Sequence, residues 1–339
     1  MIKEGIKKLV NAQNLSRGEM ETIFGEIMEG QATPAQISAF IVALRLKGET
    51  VDEITGAAVT MKKFATKIKV KNDCVLDTCG TGGSGKHIFN ISTLCALIAS
   101  GAGVTVAKHG NRSVSSKSGS ADLFEKLGVN IQAAPLIVEK CINEIGIGFL
   151  FAPSFHKAMK YAIGPRREIG IRTIFNVLGP LTNPAGATHQ LLGVFDKKLT
   201  QPLAEVLGNL RIRHALVVCA ADGLDEVSTT GETFVCEFKN GKVHNYSVTP
   251  EQYGFKRTRL ENLQISGADD SLAIAQRLLD GEAGPLQDIV LLNAAFSLYA
   301  ADAAPSVEKG IEMARESVTG GKAKEKLELL KKYTNENNS

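Results

Sequence analysis

The chain has 339 residues, of which 44% are hydrophobic and 22% are charged, and its 39 basic and 36 acidic side chains leave a net charge of +3. This composition is ordinary for a globular protein, and the length is sufficient for two domains. The near balance of charge argues against nucleic acid or an anionic membrane as the main partner.

The cysteines and the apolar runs narrow the class of protein further. No C-x-x-C pair occurs, so we expect free thiols in a reducing compartment and no zinc site. The start, MIKEGIKKLV, is charged and amphipathic and lacks the apolar core of a secretion signal. The longest apolar run, LCALIASGAGVTVA, is broken by glycines and is too short to span a bilayer. The sequence therefore predicts a cytoplasmic protein without a membrane span.

The first 66 or so residues predict helices only. Three of these helices begin with a capping box, in which a hydroxyl residue precedes Glu or Gln by three positions: Ser16 with Glu19, Thr33 with Gln36, and Thr50 with Glu53. In the second of them, Ile37, Phe40, Ile41 and Leu44 form one apolar stripe. Short helices with a single apolar face must pack on each other and on a further surface, which a second subunit could supply.

From Cys74 onward the pattern changes to alternating strands and helices. The strands CVLD and VTVAK flank the helix STLCALIASG, and later strands are IGFLFA, QLLGVF and HALVVCA. The helices between and beside them are SADLFEKLG, PLIVEKCINEIG and HKAMKYAIG. Asn240 and Gly241 predict a type I′ hairpin within VCEFKNGKVHNYSV. The alternation predicts an α/β fold with a central sheet and helices on its faces, followed by a frayed tail at residues 335–339.

A glycine-rich segment, DTCGTGGSGKHIFNIST at residues 77–93, follows the first of these strands. Glycine lets backbone approach a ligand closely or adopt positive φ, and a phosphate is the typical ligand at the carboxyl end of a strand. A flexible surface turn is the alternative. The hydroxyls of the run Asn90 to Thr93 suit phosphate oxygens at a helix start, unless Ser92 or Thr93 simply caps that helix.

Three more polar segments stand at expected strand ends or in their neighbourhood. KHGNRSVSSKSGS, at residues 108–120, follows the second strand and is rich in anion donors, although a solvated loop can have this composition. GPRREIGIRT contains Arg166, Arg167 and Arg172. A guanidinium is a natural partner for a substrate carboxylate, whereas at least one of these arginines is expected to lie on a solvated basic face. DGLDEVS places Asp225 beside Glu226, either as a plain acidic turn or as ligands for Mg²⁺ with a diphosphate.

Several of these strings together resemble the anthranilate phosphoribosyltransferase family. They are GTGG, FNIST, KHGNRSVSSKSGSADLFEKLG, GPRREIGIRTIFNVLGPLTNPA and DGLDEVS, in family order from residue 80 to residue 228. ATPAQISAFIVALRLKGET extends the likeness to the N-terminal helices. The resemblance implies a small helical domain, residues 1–70 with part of 165–180, joined by a hinge to an α/β domain, residues 74–334, with a mainly parallel sheet. It also implies a homodimer through the helical domains.

The resemblance further implies the reaction and its residues. Anthranilate and 5-phosphoribosyl 1-diphosphate would give N-(5-phosphoribosyl)anthranilate and diphosphate, in tryptophan biosynthesis. The implied substrate contacts are Gly80, Gly83, Ser84, Ile88, Asn90, Ile91, Ser92, Thr93, Lys108, His109, Gly110, Asn111, Arg112, Ser113, Val114, Ser115, Ser116, Ser120 and Arg166. Among these, Gly80, Asn111 and Arg166 would hold anthranilate. Two Mg²⁺ ions would be ligated by Ser92, Asp225 and Glu226.

The implied chemistry needs no general base, because an aromatic amine is nucleophilic when neutral. Most of the catalysis would be electrostatic stabilisation of the leaving diphosphate, with Lys108, Asp225 and Glu226 as the electrostatic groups. The chain departs from the family pattern at two positions. Ser84 stands where an aspartate is usual and Ile88 where a threonine is usual, so the loop lacks one carboxylate and one hydroxyl.

Two alternative functions belong to other classes. A pyrimidine-nucleoside phosphorylase shares the fold and a related glycine loop, but it would not carry GPLTNP together with Asp225 and Glu226. A non-enzymatic, nucleic-acid-binding relative would be expected to have a basic surface, which the net charge disfavours.

Overall fold

The computed structural model describes residues 1–83, 85–112 and 119–336. Its first four helices pack as a bundle: α1 (Ile2–Val10), α2 (Arg17–Met28), α3 (Pro34–Lys47) and α4 (Val51–Phe64). The three predicted capping boxes are confirmed, at the starts of α2, α3 and α4. The predicted apolar stripe of α3 is also confirmed, since all four of its side chains are buried.

One seven-stranded sheet forms the centre of the remaining chain. Its strands are β1 (Leu76–Gly80), β2 (Val106–Gly110), β3 (Ile147–Phe151), β4 (His189–Gly193), β5 (His214–Ala220), β6 (Thr233–Lys239) and β7 (Lys242–Val248). Their order across the sheet is β3-β2-β1-β4-β5-β6-β7, and the first five are parallel. β6 and β7 form the predicted hairpin, with φ of 52° at Asn240 and 75° at Gly241. The expectation of a mainly parallel sheet is confirmed.

Helices cover both faces of this sheet. They are α5 (Ile91–Gly101), α6 (Ser120–Lys126), α7 (Pro135–Ile145), α8 (Ala152–Phe155), α9 (Lys160–Ile169), α10 (Phe175–Leu178), α11 (Thr200–Asn209), α12 (Ala268–Leu279), α13 (Pro285–Ala300), α14 (Val307–Thr319) and α15 (Lys322–Glu336). Alternate residues of β5 face opposite sides. Leu216 and Val218 join the core formed with α5 and α13, whereas Ala215 and Val217 join the core formed with α11 and the helical bundle.

The segment around α9 and α10 packs on the helical bundle. The ring of Phe175 lies 5.6 Å from the ring of Phe24 in α2, and Ala162 and Ile174 belong to the same apolar core. These contacts agree with placing part of residues 165–180 beside the bundle. The exact domain boundaries stay a prediction.

The first two strands begin and end later than the sequence predicts. β1 continues to Gly80, and β2 includes His109 and Gly110, which the sequence places in a loop. β2 extends this far because it pairs with β3, where His109 lies opposite Leu150. β1 extends to Gly80 because it pairs with β4, where Gly80 lies opposite Gly193. At the other end of the chain, α15 continues to Glu336, so two residues of the predicted frayed tail are helical and the rest lie outside the described residues.

Two general expectations can be compared with the structure. All six cysteines are free thiols, as predicted. In the part of the chain that the structure describes, no helix combines the length and the apolar character needed to cross a membrane.

Candidate active site

The strand order reverses beside β1, and this switch point positions a candidate site. The chain crosses from β1 to β2 on one side, whereas β4 and β5 extend the sheet on the other. In open parallel sheets, ligands bind outside the carboxyl ends of the strands at such a point. Gly80 ends β1 and Gly193 ends β4, and these two residues lie opposite each other in the sheet.

The glycine loop after β1 approaches Asp225 closely. A Cβ atom on Gly80 would lie 2.8 Å from Oδ2 of Asp225. The backbone N–H of Gly82 donates to that same oxygen at 3.1 Å. Gly82 and Gly83 have φ of +65° and +84°, values that side chains rarely allow. The loop therefore has the close backbone approach and the positive φ that its glycines predict.

The acidic pair after β5 reaches the ends of β1 and β4. The backbone carbonyl of Asp225 fills the space that a side chain on Gly193 would occupy. Burial and the adjacent Asp225 carboxylate raise the pKa of Glu226 well above its usual value, while the Lys108 ammonium lowers it. A bound cation would favour the ionised form of both carboxylates.

These oxygen donors fit Mg²⁺ better than a softer metal. Mg²⁺ in proteins is typically held by one or two carboxylates together with substrate phosphates and water. Within the described ranges, no three His, Cys, Asp or Glu side chains are arranged to hold a metal on their own.

Lys108 brings a buried positive charge to this edge of the sheet. Its side chain lies in β2 and is 1% exposed. The ammonium donates to the carbonyl of Thr78 in β1 and, at 3.1 Å, to Oγ of Ser92 in α5. Burial lowers the pKa of Lys108, and the carboxylates of Asp77 and Glu226 oppose that effect. Lys108 thus connects β1, β2 and the first turn of α5.

The N-terminus of α5 is capped by Asn90 rather than by Ser92 or Thr93. The Asn90 side chain accepts a hydrogen bond from the backbone N–H of Thr93 at 3.0 Å. The Thr93 hydroxyl is buried and has no hydrogen-bond partner among the described residues. Because α5 begins at the carboxyl edge of the sheet, the positive end of its dipole lies at the candidate site.

Two buried histidines lie side by side at the end of β2. The rings of His109 and His156 are 5.0 Å apart. Burial lowers the pKa of His109 to about 3 and that of His156 to about 4, so both rings are neutral at pH 7. Neither Nε2 atom has a hydrogen-bond partner among the described residues. No motif marks His156 in the sequence, and its only signal is its position shortly after the end of β3.

The segment after β2 is tied to α6. A Cβ on Gly110 would collide with the Ser120 hydroxyl, which donates to the carbonyl of Asn111 at 3.4 Å. The Arg112 guanidinium makes two hydrogen bonds of 2.7 and 2.8 Å to Glu125 in α6. In this structure the Arg112 guanidinium is therefore paired with Glu125, and its contact with a phosphate stays a prediction.

The arginines of GPRREIGIRT separate into different environments. Arg166 in α9 lies 4.9 Å over the ring of Phe175, and burial lowers its pKa. Arg167 is exposed. Arg172 lies 4.1 Å over the ring of Phe195 and donates to the carbonyl of Gly83. The described contacts thus bring Arg172 to the glycine loop, whereas Arg166 lies on the side of the helical bundle.

Some of the remaining predicted site residues lie outside the described part of the chain. Ser84 and residues 113–116 lie there. Ile91 is buried in the core. Ile88 is half-buried, packs against the same core and forms a bridge with Gln264. The isoleucine that replaces the usual threonine therefore joins the glycine loop to the segment before α12.

Comparisons with known proteins match nearly the whole chain. Residues 3–65 match the helical bundle domain of a glycosyl transferase family, and residues 72–324 match its a/b domain. An anthranilate phosphoribosyltransferase of Thioalkalivibrio sulfidiphilus is 52% identical over 98% of each chain. One of Acetivibrio thermocellus is 52% identical over 99% of this chain and 97% of its own.

Solved structures give the same result. An anthranilate phosphoribosyltransferase of Thermus thermophilus has a TM-score of 0.92 and 44% identity, over 97% of this chain and 99% of its own. One of Saccharomyces cerevisiae was solved in complex with Mg and PRPP (5-phosphoribosyl 1-diphosphate). It has a TM-score of 0.90 and 28% identity, over 98% of this chain and 97% of its own. The same yeast enzyme was also solved with 4-fluoroanthranilate. That structure has a TM-score of 0.88 and 27% identity, over 98% of this chain and 97% of its own.

Proposed function

The chain belongs to the anthranilate phosphoribosyltransferase family, and from this premise we propose which of its residues bind the substrates and how they act. The enzyme transfers the phosphoribosyl group of PRPP to the amine of anthranilate in tryptophan biosynthesis. Neither alternative function, a nucleoside phosphorylase or a nucleic-acid-binding relative, matches the names of these relatives.

The diphosphate of PRPP binds at the carboxyl ends of β1 and β4. One observation carries this proposal: the Asp225 carboxylate meets the backbone of Gly80 and Gly82 at the switch point of the sheet. The glycine loop supplies N–H groups, and the start of α5 supplies hydroxyls and the positive end of a helix dipole. The residues assigned to the sugar phosphate and diphosphate are Gly80, Gly83, Ser84, Ile88, residues 90–93, residues 108–116 and Ser120.

Ser92, Asp225 and Glu226 hold two Mg²⁺ ions together with the diphosphate. The support is the position of the Asp225 carboxylate against Gly80 and Gly82 with Glu226 adjacent in the chain, together with the Mg in the yeast complex with PRPP. When bound, Mg²⁺ neutralises negative charge on the leaving diphosphate. The chain's own part is to hold these oxygen donors near the ends of β1 and β4, where the missing side chain of Gly193 leaves room for the Asp225 backbone.

Catalysis by this chain is positioning and electrostatic stabilisation. Lys108 supplies a fixed, buried positive charge next to Ser92, so little reorganisation is needed as charge develops on the diphosphate. No general base acts on anthranilate, since its neutral aromatic amine is already nucleophilic. Arg166 binds the anthranilate carboxylate, with Gly80 and Asn111 completing that site.

The chain forms a homodimer through its helical bundle and acts in the cytoplasm. The support for the dimer is apolar surface on the bundle: Val10 at the end of α1 and Leu46 in α3 are 72% and 83% exposed. Burying such side chains against a partner subunit stabilises the dimer. Sedimentation of the purified protein tests the dimer, and a Leu46→Glu variant should shift it toward monomer.

A direct assay tests the proposed metal and diphosphate site. The loss of anthranilate fluorescence is followed in the presence of Mg²⁺ and PRPP. Replacing both Asp225 and Glu226 with alanine should lower turnover by at least about a hundredfold, as removal of key electrostatic groups does elsewhere. A matched variant, with Glu325 and Glu328 on the exposed face of α15 changed to alanine, loses the same charge and should keep its turnover. Near wild-type turnover in the Asp225 and Glu226 variant at limiting Mg²⁺ would contradict the proposal.

A further inference from the structure

We propose that Arg172 is a positioning residue that holds the glycine loop ready for PRPP. Arg172 lies in the connection between α9 and α10. Its guanidinium reaches the α/β domain and donates to the backbone carbonyl of Gly83. The inference rests on the proposed role of the glycine loop in binding PRPP.

The guanidinium lies against the bare Cα of Gly83. A Cβ atom at this position would be 2.8 Å from Cζ of Arg172, which is far inside van der Waals contact. Gly83 also has φ of +84°. Glycine is therefore needed at position 83 for two reasons, its backbone conformation and the close approach of Arg172.

Phe195 packs on the other side of the Arg172 guanidinium, beside the end of β4. The centre of its ring lies 4.1 Å from Cζ of Arg172, and Phe195 is the second residue after the end of β4. A planar guanidinium stacks on an aromatic ring and donates in a fixed geometry, which an ammonium cannot do. Arg172 thereby connects the glycine loop at Gly83 to the segment that follows β4.

This connection lowers the cost of binding a polyanion. Glycine loses more conformational freedom than any other residue when it is ordered, and this loop has glycine at positions 80, 82, 83 and 85. A carbonyl held by Arg172 cannot turn its oxygen toward bound phosphate oxygens, which it would repel. Arg172 should therefore affect the binding of PRPP more than the rate of transfer.

The test compares Arg172→Ala and Arg172→Lys with Arg167→Ala, which removes the same charge from an exposed site five residues away. We expect Arg172→Ala to raise the KM for PRPP about tenfold while kcat and the KM for anthranilate change less than about twofold. Arg172→Lys should give an intermediate KM, because it keeps a donor and loses the planar stack. Arg167→Ala should resemble the wild type.

Hydrogen exchange of the free enzyme provides the second readout. The amides of residues 79–83 and 85–90 should exchange faster in Arg172→Ala than in the wild type, before any substrate is added. Unchanged exchange, or an equal rise in KM in Arg167→Ala, would overturn the inference. Faster exchange with an unchanged KM for PRPP would instead overturn the proposed role of the loop in binding it. The two failures are therefore distinguishable.

Discussion

Replacing Gly193 by alanine should displace Asp225 and disable the enzyme. The added Cβ would overlap the Asp225 carbonyl oxygen and lie 2.5 Å from the carbonyl carbon. Non-bonded carbon atoms pack about 3.5–4.0 Å apart, so the Asp225 peptide must move by at least about 1 Å. Gly193 lies within a buried strand that is paired on both sides, so β4 cannot move in its place.

Two effects of different size are expected from this substitution. Inserting a methyl group into a packed site typically costs about 1–3 kcal/mol of the free energy of unfolding. A misplacement of about 1 Å at a catalytic site can cost about a hundredfold in rate. Asp225 also accepts from the Gly82 N–H at 3.1 Å, so the glycine loop should move with it.

The assay measures kcat and the KM for PRPP over a series of Mg²⁺ concentrations, together with urea unfolding. We expect Gly193→Ala to need more Mg²⁺ and to lose about a hundredfold in kcat/KM. Gly231→Ala is the control, because its Cβ would meet open space and its φ is not positive. If kcat/KM of Gly193→Ala stayed within twofold of that of Gly231→Ala, the position of Asp225 would not matter as argued.

Three further predictions follow from single residues. Arg166→Ala should raise the KM for anthranilate by about tenfold or more, since a lost charge-assisted hydrogen bond costs about 1.5–3 kcal/mol; an equal rise for PRPP would contradict the assignment. Lys108→Met should lower the free energy of unfolding in urea by about 1–3 kcal/mol, because the Thr78 carbonyl and the Ser92 hydroxyl lose the buried donor that they share; an unchanged free energy of unfolding would contradict this. Since burial lowers the pKa of His156 from 6.5 to about 4, the folded state binds its proton more weakly than the unfolded chain. The free energy of unfolding of the wild type should therefore fall relative to that of His156→Gln as the pH drops from about 6.5 to about 4, by up to about 3 kcal/mol. If urea unfolding gave the same pH dependence for both proteins across this range, the protonation of His156 would not be coupled to folding.

Local signals in the sequence determined the elements and much of the polar loop chemistry. The capping boxes at Ser16, Thr33 and Thr50 act within one helical turn, and the Asn240–Gly241 turn acts within one hairpin. The glycines after β1 are local in the same sense, because positive φ is a property of the residue itself. The resemblance to a family rests on strings of this kind, and it correctly predicted the two-part architecture.

Only the tertiary structure decided which of these pieces meet. β4 lies beside β1 although more than a hundred residues separate them, and this pairing brings Gly193 opposite Gly80. The contact of Asp225 with both glycines, the pairing of His109 with His156 and the bond from Arg172 to Gly83 all depend on it or on similar long-range packing. A residue type and its near neighbours carry no information about a partner this far along the chain. Such contacts exist only once burial of both faces of the sheet has set the strand order and register.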